Sequence, residues 1–174
     1  MGGDDKHLHR TVPGVCVCSR ARATRIVNGQ EPSPPIATLI SICDPGQPAL
    51  AGHLLPDRIL KLEFYDTLIP SDPLGPTTED VEQVLAFAAE AQHAGGMCLV
   101  HCQAGISRST ATAVLLFASW FGPGREEDAA QAVLRIVPHA MPNPLLIALG
   151  DAKLGRQGAL QAAVDEVFVS LLLF

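Results

Sequence analysis

The chain has 174 residues, of which 48% are hydrophobic and 17% are charged, enough for one globular core and too few for two ordinary domains. Its 18 acidic and 12 basic residues give a formal net charge of −6, and no basic run could follow a nucleic-acid backbone. The polar start (residues 1–10) lacks a signal region, and the longest apolar stretch (167–174) is too short to span a bilayer. We therefore expect one soluble cytoplasmic domain with a flexible start, residues 1–10, and no nucleic-acid partner or transmembrane segment.

The cysteine and histidine content argues against disulfides and metals. Five cysteines are an odd number in a chain without an export signal, which favours free thiols. No spacing of cysteines and histidines matches a closed zinc site. We predict neither a metal nor another cofactor.

Short apolar segments in the first half of the chain predict three strands. The apolar runs 14–18 and 37–43 are typical of buried strands, and residues 59–65 alternate between apolar and polar side chains. Three prolines in 28–35 and three more in 67–76 predict surface loops.

The second half is predicted to be mainly helical around one central strand. The apolar run 97–101 is typical of a parallel strand covered on both faces. Capping residues, helical spacing of apolar residues and terminating Gly or Pro predict helices over 77–94, 109–121, 125–137 and 144–150, and from about 157 toward 174. The sum is a three-layer α/β fold with a small, mostly parallel central sheet flanked by helices.

The segment from His101 to Ser109 joins the central strand to the next helix. Open parallel sheets bind ligands there, and the N–H groups of a tight loop before a helix suit a tetrahedral oxyanion. The same positive field, together with Arg108, favours the thiolate of Cys102 at neutral pH. Gly105 permits the backbone conformation of such a loop, and the Ser109 hydroxyl can bond the sulfur when it must leave.

An arginine at the end of this loop has a specific use, because its planar guanidinium can grip two oxygens of one phosphoryl group. A phosphate or similar oxyanion is therefore the expected ligand of the loop. The residues expected to hold it are Gln103, Ala104, Gly105, Ile106, Ser107 and Arg108.

The pattern His-Cys-x-x-Gly-x-x-Arg-Ser, residues 101–109, resembles the signature of the cysteine-based protein tyrosine phosphatases, especially their compact dual-specificity-like branch. The resemblance covers about residues 36–149 and includes the segments 135–138 and 141–143. It implies the cysteine phosphatase fold and metal-independent hydrolysis of phosphomonoesters through a phosphocysteine intermediate, with Cys102 as nucleophile.

The resemblance also implies a general acid, since the leaving oxygen must gain a proton as the P–O bond breaks. Asp66, directly after the third predicted strand, matches the placement of that residue in the family. Asp72 lies in the following loop and is the alternative, because loop length is not fixed by sequence. We favour Asp66 because a strand end anchors it.

Three further residues gain roles from the resemblance. His101 is expected to support the loop from behind. Cys43 resembles a position from which some relatives protect the nucleophile by a reversible disulfide, although a buried structural thiol is the favoured interpretation. Asn143 is expected to cap a helix, and the resemblance would also let it brace the loop.

The substrate is expected to be a phosphoprotein, carrying phosphotyrosine and, if the site is shallow, phosphoserine or phosphothreonine. The loop interior contains no lysine, whereas inositol-phosphate readers of this superfamily usually place extra bases there. Two alternative functions stay open: a non-catalytic phosphotyrosine-binding pseudophosphatase and a rhodanese-like sulfurtransferase.

The apolar end of the chain, residues 166–174, is costly to leave in water. Packing against the domain is the favoured interpretation. A homodimer contact or a weak membrane-surface contact is the alternative. The buried stripe expected on the last helix consists of Leu160, Ala163, Val164, Val167 and Phe168.

Overall fold

The computed structural model describes residues 13–169, which form a four-stranded sheet with helices on both faces. The predicted flexible start (1–10) and the last residues of the predicted terminal helix (170–174) lie outside the described residues. In chain order the elements are β1 (Gly14–Ser19), α1 (Arg20–Val27), β2 (Ile36–Cys43), a 3-10 turn (Pro56–Arg58), β3 (Ile59–Glu63), α2 (Thr78–Ala94), β4 (Met97–Cys102), α3 (Arg108–Phe121), α4 (Glu126–Ile136), α5 (Pro144–Lys153) and α6 (Ala159–Val169).

The sheet has the strand order β1-β4-β2-β3, and every described pair is parallel. β4 lies between β1 and β2, with Leu99 opposite Cys16 on one side and Leu39 on the other. The carboxyl ends of all four strands therefore meet at one edge, and the predicted central position of β4 and the parallel α/β fold are confirmed.

Alternating side chains of the strands divide the core into two layers. Val15, Val17, Ile40 and Val100 face the larger cluster, which is completed by helices α2 to α6. On the other face, α1 covers a smaller cluster that includes Cys18, Ala23, Ile26, Leu39 and Leu99. The result is the predicted three-layer arrangement, with five helices on one face and the short α1 on the other.

Two helices differ from the sequence-based prediction. Helix α1 was not predicted, because it follows β1 with no linker: Ser19 is both the last residue of the strand and the N-cap of the helix. Helix α5 continues to Lys153 instead of ending at Gly150. A Cβ at Gly150 would lie 2.1 Å from a methyl carbon of Leu115, so this glycine allows α5 to pack closely on α3 and does not end the helix.

The end of the described chain packs against the domain. Val167 and Phe168 of α6 are buried in the larger cluster together with Leu160 and Val164, as the packing interpretation predicts for this part of the segment. Within residues 13–169 no helix is both long and apolar enough to cross a membrane.

Candidate active site

The loop of residues 102–108 connects the end of β4 to the start of α3. Gly105 has a φ of +77°, and a Cβ on it would lie 2.5 Å from backbone atoms of Cys18 and Ser19. Only glycine therefore fits here, for both its backbone conformation and its contact with the end of β1.

Neighbouring segments hold three carbonyl groups of this loop. The Gln103 carbonyl accepts a hydrogen bond from the Arg20 N–H, and the Ile106 carbonyl accepts one from the Met141 N–H. The Ser107 carbonyl accepts one from the N–H of Asn143. With these three carbonyls engaged by the protein, the loop can offer N–H groups to an oxyanion.

Cys102, whose sulfur lies inside this loop, is only 2% exposed. Its Sγ accepts a hydrogen bond from the Gly105 N–H at 3.2 Å and lies 3.1 Å from the Ser109 hydroxyl. Burial by itself raises the pKa of the Cys102 thiol, but hydrogen bonds from the side chain and backbone of Ser109 and from Gly105, with the charge of Arg108, outweigh it and lower the pKa. The site therefore favours a thiolate.

Arg108 is the first residue of α3 and is 4% exposed. Its Nη1 donates to Asp44 Oδ1 and to the carbonyl of Phe64, both at 2.7 Å. Its Nε is buried and has no hydrogen-bond partner among residues 13–169. A buried, unpaired N–H of a guanidinium costs free energy unless an acceptor is supplied, so this donor fits a bound oxyanion.

Asp66 lies three residues after β3 and touches the loop. Its Oδ1 accepts hydrogen bonds from the Ser107 hydroxyl at 2.7 Å and from Asn143 Nδ2 at 2.8 Å. Asn143 also donates to the Thr67 carbonyl, and its own Oδ1 caps α5 through the Leu146 N–H. Asn143 thus combines the helix cap with a bracing contact to the acid loop.

The alternative acid is placed differently. Asp72 Oδ1 accepts from the N–H of Leu74 at 3.0 Å, and the Asp72 carbonyl accepts from the N–H of Gly75. These bonds shape a turn within the 67–76 loop. Among the described contacts, it is Asp66 and not Asp72 that joins the cysteine loop.

His101 is fully buried on the α1 face of β4. Its Nε2 lies 2.7 Å from the Ser41 hydroxyl and its Nδ1 lies 3.3 Å from the Cys102 carbonyl. Burial lowers the pKa of His101 to about 4, helped by the charges of Arg20 and Arg108 and opposed by the Cys102 carbonyl. The neutral ring therefore donates from Nδ1 to that carbonyl and accepts from Ser41.

Cys43 is a free, buried thiol at the end of β2. Its Sγ accepts a hydrogen bond from Arg20 Nη1 at 3.2 Å and lies 3.5 Å from the Ser41 hydroxyl. This environment accounts for Cys43 as a packed, hydrogen-bonded thiol, and its proposed role as a redox partner of Cys102 stays a prediction.

Three residues of the site are not predicted from the sequence: Asp44, Ser41 and Arg20. In the sequence, Asp44 is the first residue of an Asp-Pro-Gly turn, which hides its pairing with Arg108. One signal could have found it: charged residues directly after parallel strands meet at the carboxyl edge of the sheet. Ser41 and Arg20 give no comparable sequence signal.

The chain is similar in sequence to a dual specificity protein phosphatase. Dual specificity protein phosphatase 15 of Mus musculus is 34% identical over 109 residues, which are 63% of this chain and 42% of that protein. The chain therefore spans less than half the length of this relative. No protein-family model matches the chain.

Among solved structures, a crystal structure of DUSP15 is 25% identical with a TM-score of 0.60, and the match covers 90% of this chain and 92% of that one. A crystal structure of human DUSP28 has the same TM-score at 22% identity, covering 84% of this chain and 95% of the other. This second likeness is one of fold.

Proposed function

We propose that the chain, which is similar in sequence and structure to dual specificity phosphatase 15, belongs to the dual-specificity-like branch of the cysteine-based protein tyrosine phosphatases and hydrolyses phosphomonoesters on proteins through a phosphocysteine intermediate. We propose that residues 1–174 belong to a single phosphatase domain. The proposal rests on one observation above all: the buried Cys102 sulfur accepts a hydrogen bond from Gly105 and contacts Ser109, in a loop whose arginine keeps a free buried donor.

In the first step, the Cys102 thiolate attacks phosphorus in line with the leaving oxygen. The loop N–H groups and Arg108 stabilise the negative charge of the equatorial oxygens in the transition state. Asp66 gives its proton to the leaving oxygen as the P–O bond breaks. The contacts of Asp66 with Ser107 and Asn143 support this assignment, because they hold the carboxyl group beside the loop.

In the second step, water attacks the phosphocysteine and the S–P bond breaks. Asp66, now ionised, takes a proton from the water, and Ser109 donates a hydrogen bond to the departing sulfur. Its hydroxyl already lies 3.1 Å from that sulfur. His101 supports the step from behind the loop by bonding the Cys102 carbonyl.

We propose that the positive field of the site comes from the loop amides and Arg108, so that the reaction needs no metal. Proposed substrates are phosphotyrosine and, where the side chain reaches the sulfur, phosphoserine or phosphothreonine. The mouse relative is named a dual specificity protein phosphatase, which supports this range.

We also propose a cytoplasmic location, supported by five free thiols. The homodimer contact through residues 166–174, which is the alternative to packing against the domain, stays a prediction.

The direct test uses the purified full chain and p-nitrophenyl phosphate in a chelator. We expect turnover, trapping of a phosphorylated cysteine on acid quenching, and loss of both in Cys102→Ser. Cys98→Ala is the matched control, because Cys98 is buried on the same strand and in the same core layer, four residues before the cysteine loop. Parent-rate hydrolysis by Cys102→Ser would remove the assignment.

The alternative functions give different results in the same assay. A pseudophosphatase would bind a phosphotyrosine peptide without releasing phosphate. A sulfurtransferase would turn over thiosulfate and leave p-nitrophenyl phosphate intact.

A further inference from the structure

A second pair of thiols, Cys16 and Cys18, lies outside the proposed catalytic machinery. Both are on β1, and the one-residue spacing puts their side chains on the same face of the strand. Cys18 belongs to the smaller core cluster, and Cys16 packs against that cluster while staying partly exposed. Both thiols are free, so the strand presents an adjacent dithiol.

We propose that Cys16 and Cys18 form a redox-active pair that hydroperoxide converts to a reversible disulfide. Cys16 is the more exposed of the two thiols and is therefore the one that peroxide meets. Cys18 is buried beside it and is therefore the resolving thiol.

The electrostatic surroundings agree with this division of roles. The pKa of Cys16 is lowered to about 7, mainly by hydrogen bonding to the Cys18 thiol and also by the charge of Arg22. Burial and the charge of Glu31 raise the pKa of Cys16 but are outweighed. The same hydrogen bond and burial raise the pKa of Cys18. At neutral pH Cys16 is therefore the thiol of the pair with a large thiolate fraction, which is the form that peroxide oxidises.

The chemistry balances with hydroperoxide as the only co-reactant. The Cys16 thiolate attacks one peroxide oxygen, the O–O bond breaks, and the sulfur becomes a sulfenic acid while an alcohol or water leaves. Cys18 then attacks the Cys16 sulfur, forms the S–S bond and expels hydroxide, which takes up the Cys18 proton as water. Overall, two thiols are oxidised by two electrons and one peroxide is reduced.

The geometry allows the bridge at the cost of bending β1. Alternate residues of a strand have Cα atoms about 6.6 Å apart, close to the upper limit of about 6.8 Å for disulfides. β1 is an edge strand of the described sheet, paired with β4 alone, so one side of it is free to adjust. A cavity of about 240 Å³, lined by Cys18, Arg22 and Gly105 among others, lies beside Cys18, whereas Cys16 meets solvent through its own partly exposed side.

A bend at Cys18 would reach the phosphate-binding loop. Gly105 packs directly against the backbone of Cys18, since a Cβ on this glycine would lie 2.5 Å from the Cys18 carbonyl carbon. The loop is also tied to the chain after β1 by the hydrogen bond from the Arg20 N–H to the Gln103 carbonyl. We expect the oxidised pair to displace the loop and weaken its affinity for oxyanions. This consequence rests on the proposed function, whereas the disulfide itself does not.

The first test detects the bridge without measuring activity. Full-length Cys102→Ser protein is treated with equimolar hydrogen peroxide, alkylated and digested with trypsin. The peptide 11–20 lies between two arginine cleavage sites and contains only Cys16 and Cys18. We expect it to escape alkylation and to weigh about 2 Da less than the reduced peptide, with full reversal by dithiothreitol. A peptide that stays reduced and fully alkylated overturns the proposal.

Two single variants test the order of events. In Cys18→Ser we expect a sulfenic acid on Cys16 that dimedone traps, whereas Cys16→Ser should give no adduct on Cys18. A dimedone adduct on Cys18 in the Cys16→Ser protein would contradict the assigned roles.

The urea-unfolded chain tests whether the fold promotes the reaction. It loses the surroundings that favour the Cys16 thiolate, so it should form the bridge about tenfold more slowly at pH 7. An equal rate would contradict a role for the fold.

The last test measures tungstate affinity of Cys102→Ser before and after bridging, by calorimetry. We expect binding to weaken about tenfold in the bridged form and to recover on reduction. Unchanged affinity in the bridged form overturns the link to the loop. Failure of the reduced protein to bind tungstate would count against the proposed function and would leave the disulfide result intact.

Discussion

Ser107 donates its hydroxyl hydrogen bond to Asp66 at 2.7 Å, although it occupies the N-cap position of α3. The hydroxyl therefore does not cap its own helix, where an N-cap serine usually bonds a backbone N–H. Asn143 Nδ2 contacts the same oxygen of Asp66. Two donors from segments far apart in sequence thus fix one carboxyl group beside the cysteine loop.

The first prediction concerns Asp66→Asn. If Asp66 protonates the leaving oxygen, the variant should lose about 10²-fold in kcat on a phosphotyrosine peptide. The loss on p-nitrophenyl phosphate should be smaller, because p-nitrophenolate leaves readily without a proton. Steady-state kinetics on both substrates measure this difference.

Asp72→Asn is the matched control for this prediction, because Asp72 bonds within its own turn. Its kcat should change less than about twofold. A larger loss in Asp72→Asn than in Asp66→Asn would transfer the acid role to Asp72. If Asp66 is the acid, Asp66→Ala is the variant expected to retain substrate in pull-downs.

The second prediction concerns Asp44→Ala. The substitution removes one of two acceptors of Arg108 Nη1 and leaves the Phe64 carbonyl. Because a displaced guanidinium loses its alignment with the oxyanion, kcat/KM should fall about tenfold and tungstate inhibition should weaken in parallel. Asp57→Ala, which removes a more exposed ion pair with Arg58, should change neither by more than about twofold. Equal effects of both variants would show that Asp44 does not position Arg108.

The third prediction concerns Ser109→Ala. Loss of the hydroxyl removes one of the hydrogen bonds that lower the pKa of Cys102. The pKa should therefore rise, so that alkylation of Cys102 by iodoacetate needs a higher pH. The phosphocysteine should also hydrolyse more slowly, because the departing sulfur loses a donor, and rapid-quench experiments should show a burst of product.

Thr112→Val is the control for this third prediction. The Thr112 hydroxyl is buried on the same helix and has no hydrogen-bond partner among residues 13–169. Replacing it should leave the alkylation profile unchanged and cost little stability. A burst in Thr112→Val, or none in Ser109→Ala, would contradict the role given to Ser109.

The strands and the signature loop could be predicted because their residues report directly on their surroundings. A short apolar run such as 97–101 fits a central parallel strand, and the spacing from Cys102 to Arg108 fits a loop around an oxyanion. The contacts between distant segments could not be predicted in this way. Ser41 and Arg20 reach the site through contacts between segments far apart in sequence, which no local pattern encodes, and for Asp44 the sequence offers only its place directly after a parallel strand.

Helix α1 could not be predicted from the sequence for a different reason. It has eight residues, of which only Ala23, Ile26 and Val27 are buried, so its apolar stripe is too short to stand out from the polar residues around it. Its stability comes from packing on the sheet, as is usual for short helices. Gly150 was wrongly predicted to end a helix. A glycine ends a helix in one place and permits close helix packing in another, and the sequence does not distinguish the two.

The last prediction concerns His101 and the pH dependence of stability. The pKa of the buried ring is about 4 in the folded chain, against about 6.5 in the unfolded chain. Above pH 6.5 both states hold the neutral ring, and His101 costs nothing. Between pH 6.5 and 4 the unfolded chain binds a proton that the folded chain excludes, so the free energy of unfolding decreases as the pH is lowered. At about 1.4 kcal/mol per pKa unit, the total decrease is about 3 kcal/mol by pH 4.

Urea unfolding at several pH values between 7 and 4 measures this loss. His101→Asn should be less stable than the parent at pH 7, because it disturbs the bond to Ser41, but its stability should fall less steeply on acidification. His139→Asn is the control, because His139 is exposed. Its replacement should leave the pH dependence of the free energy of unfolding as it is in the parent. If His101→Asn kept the full slope of the parent, the acid sensitivity would belong to other groups and the neutral, buried state of His101 would be refuted.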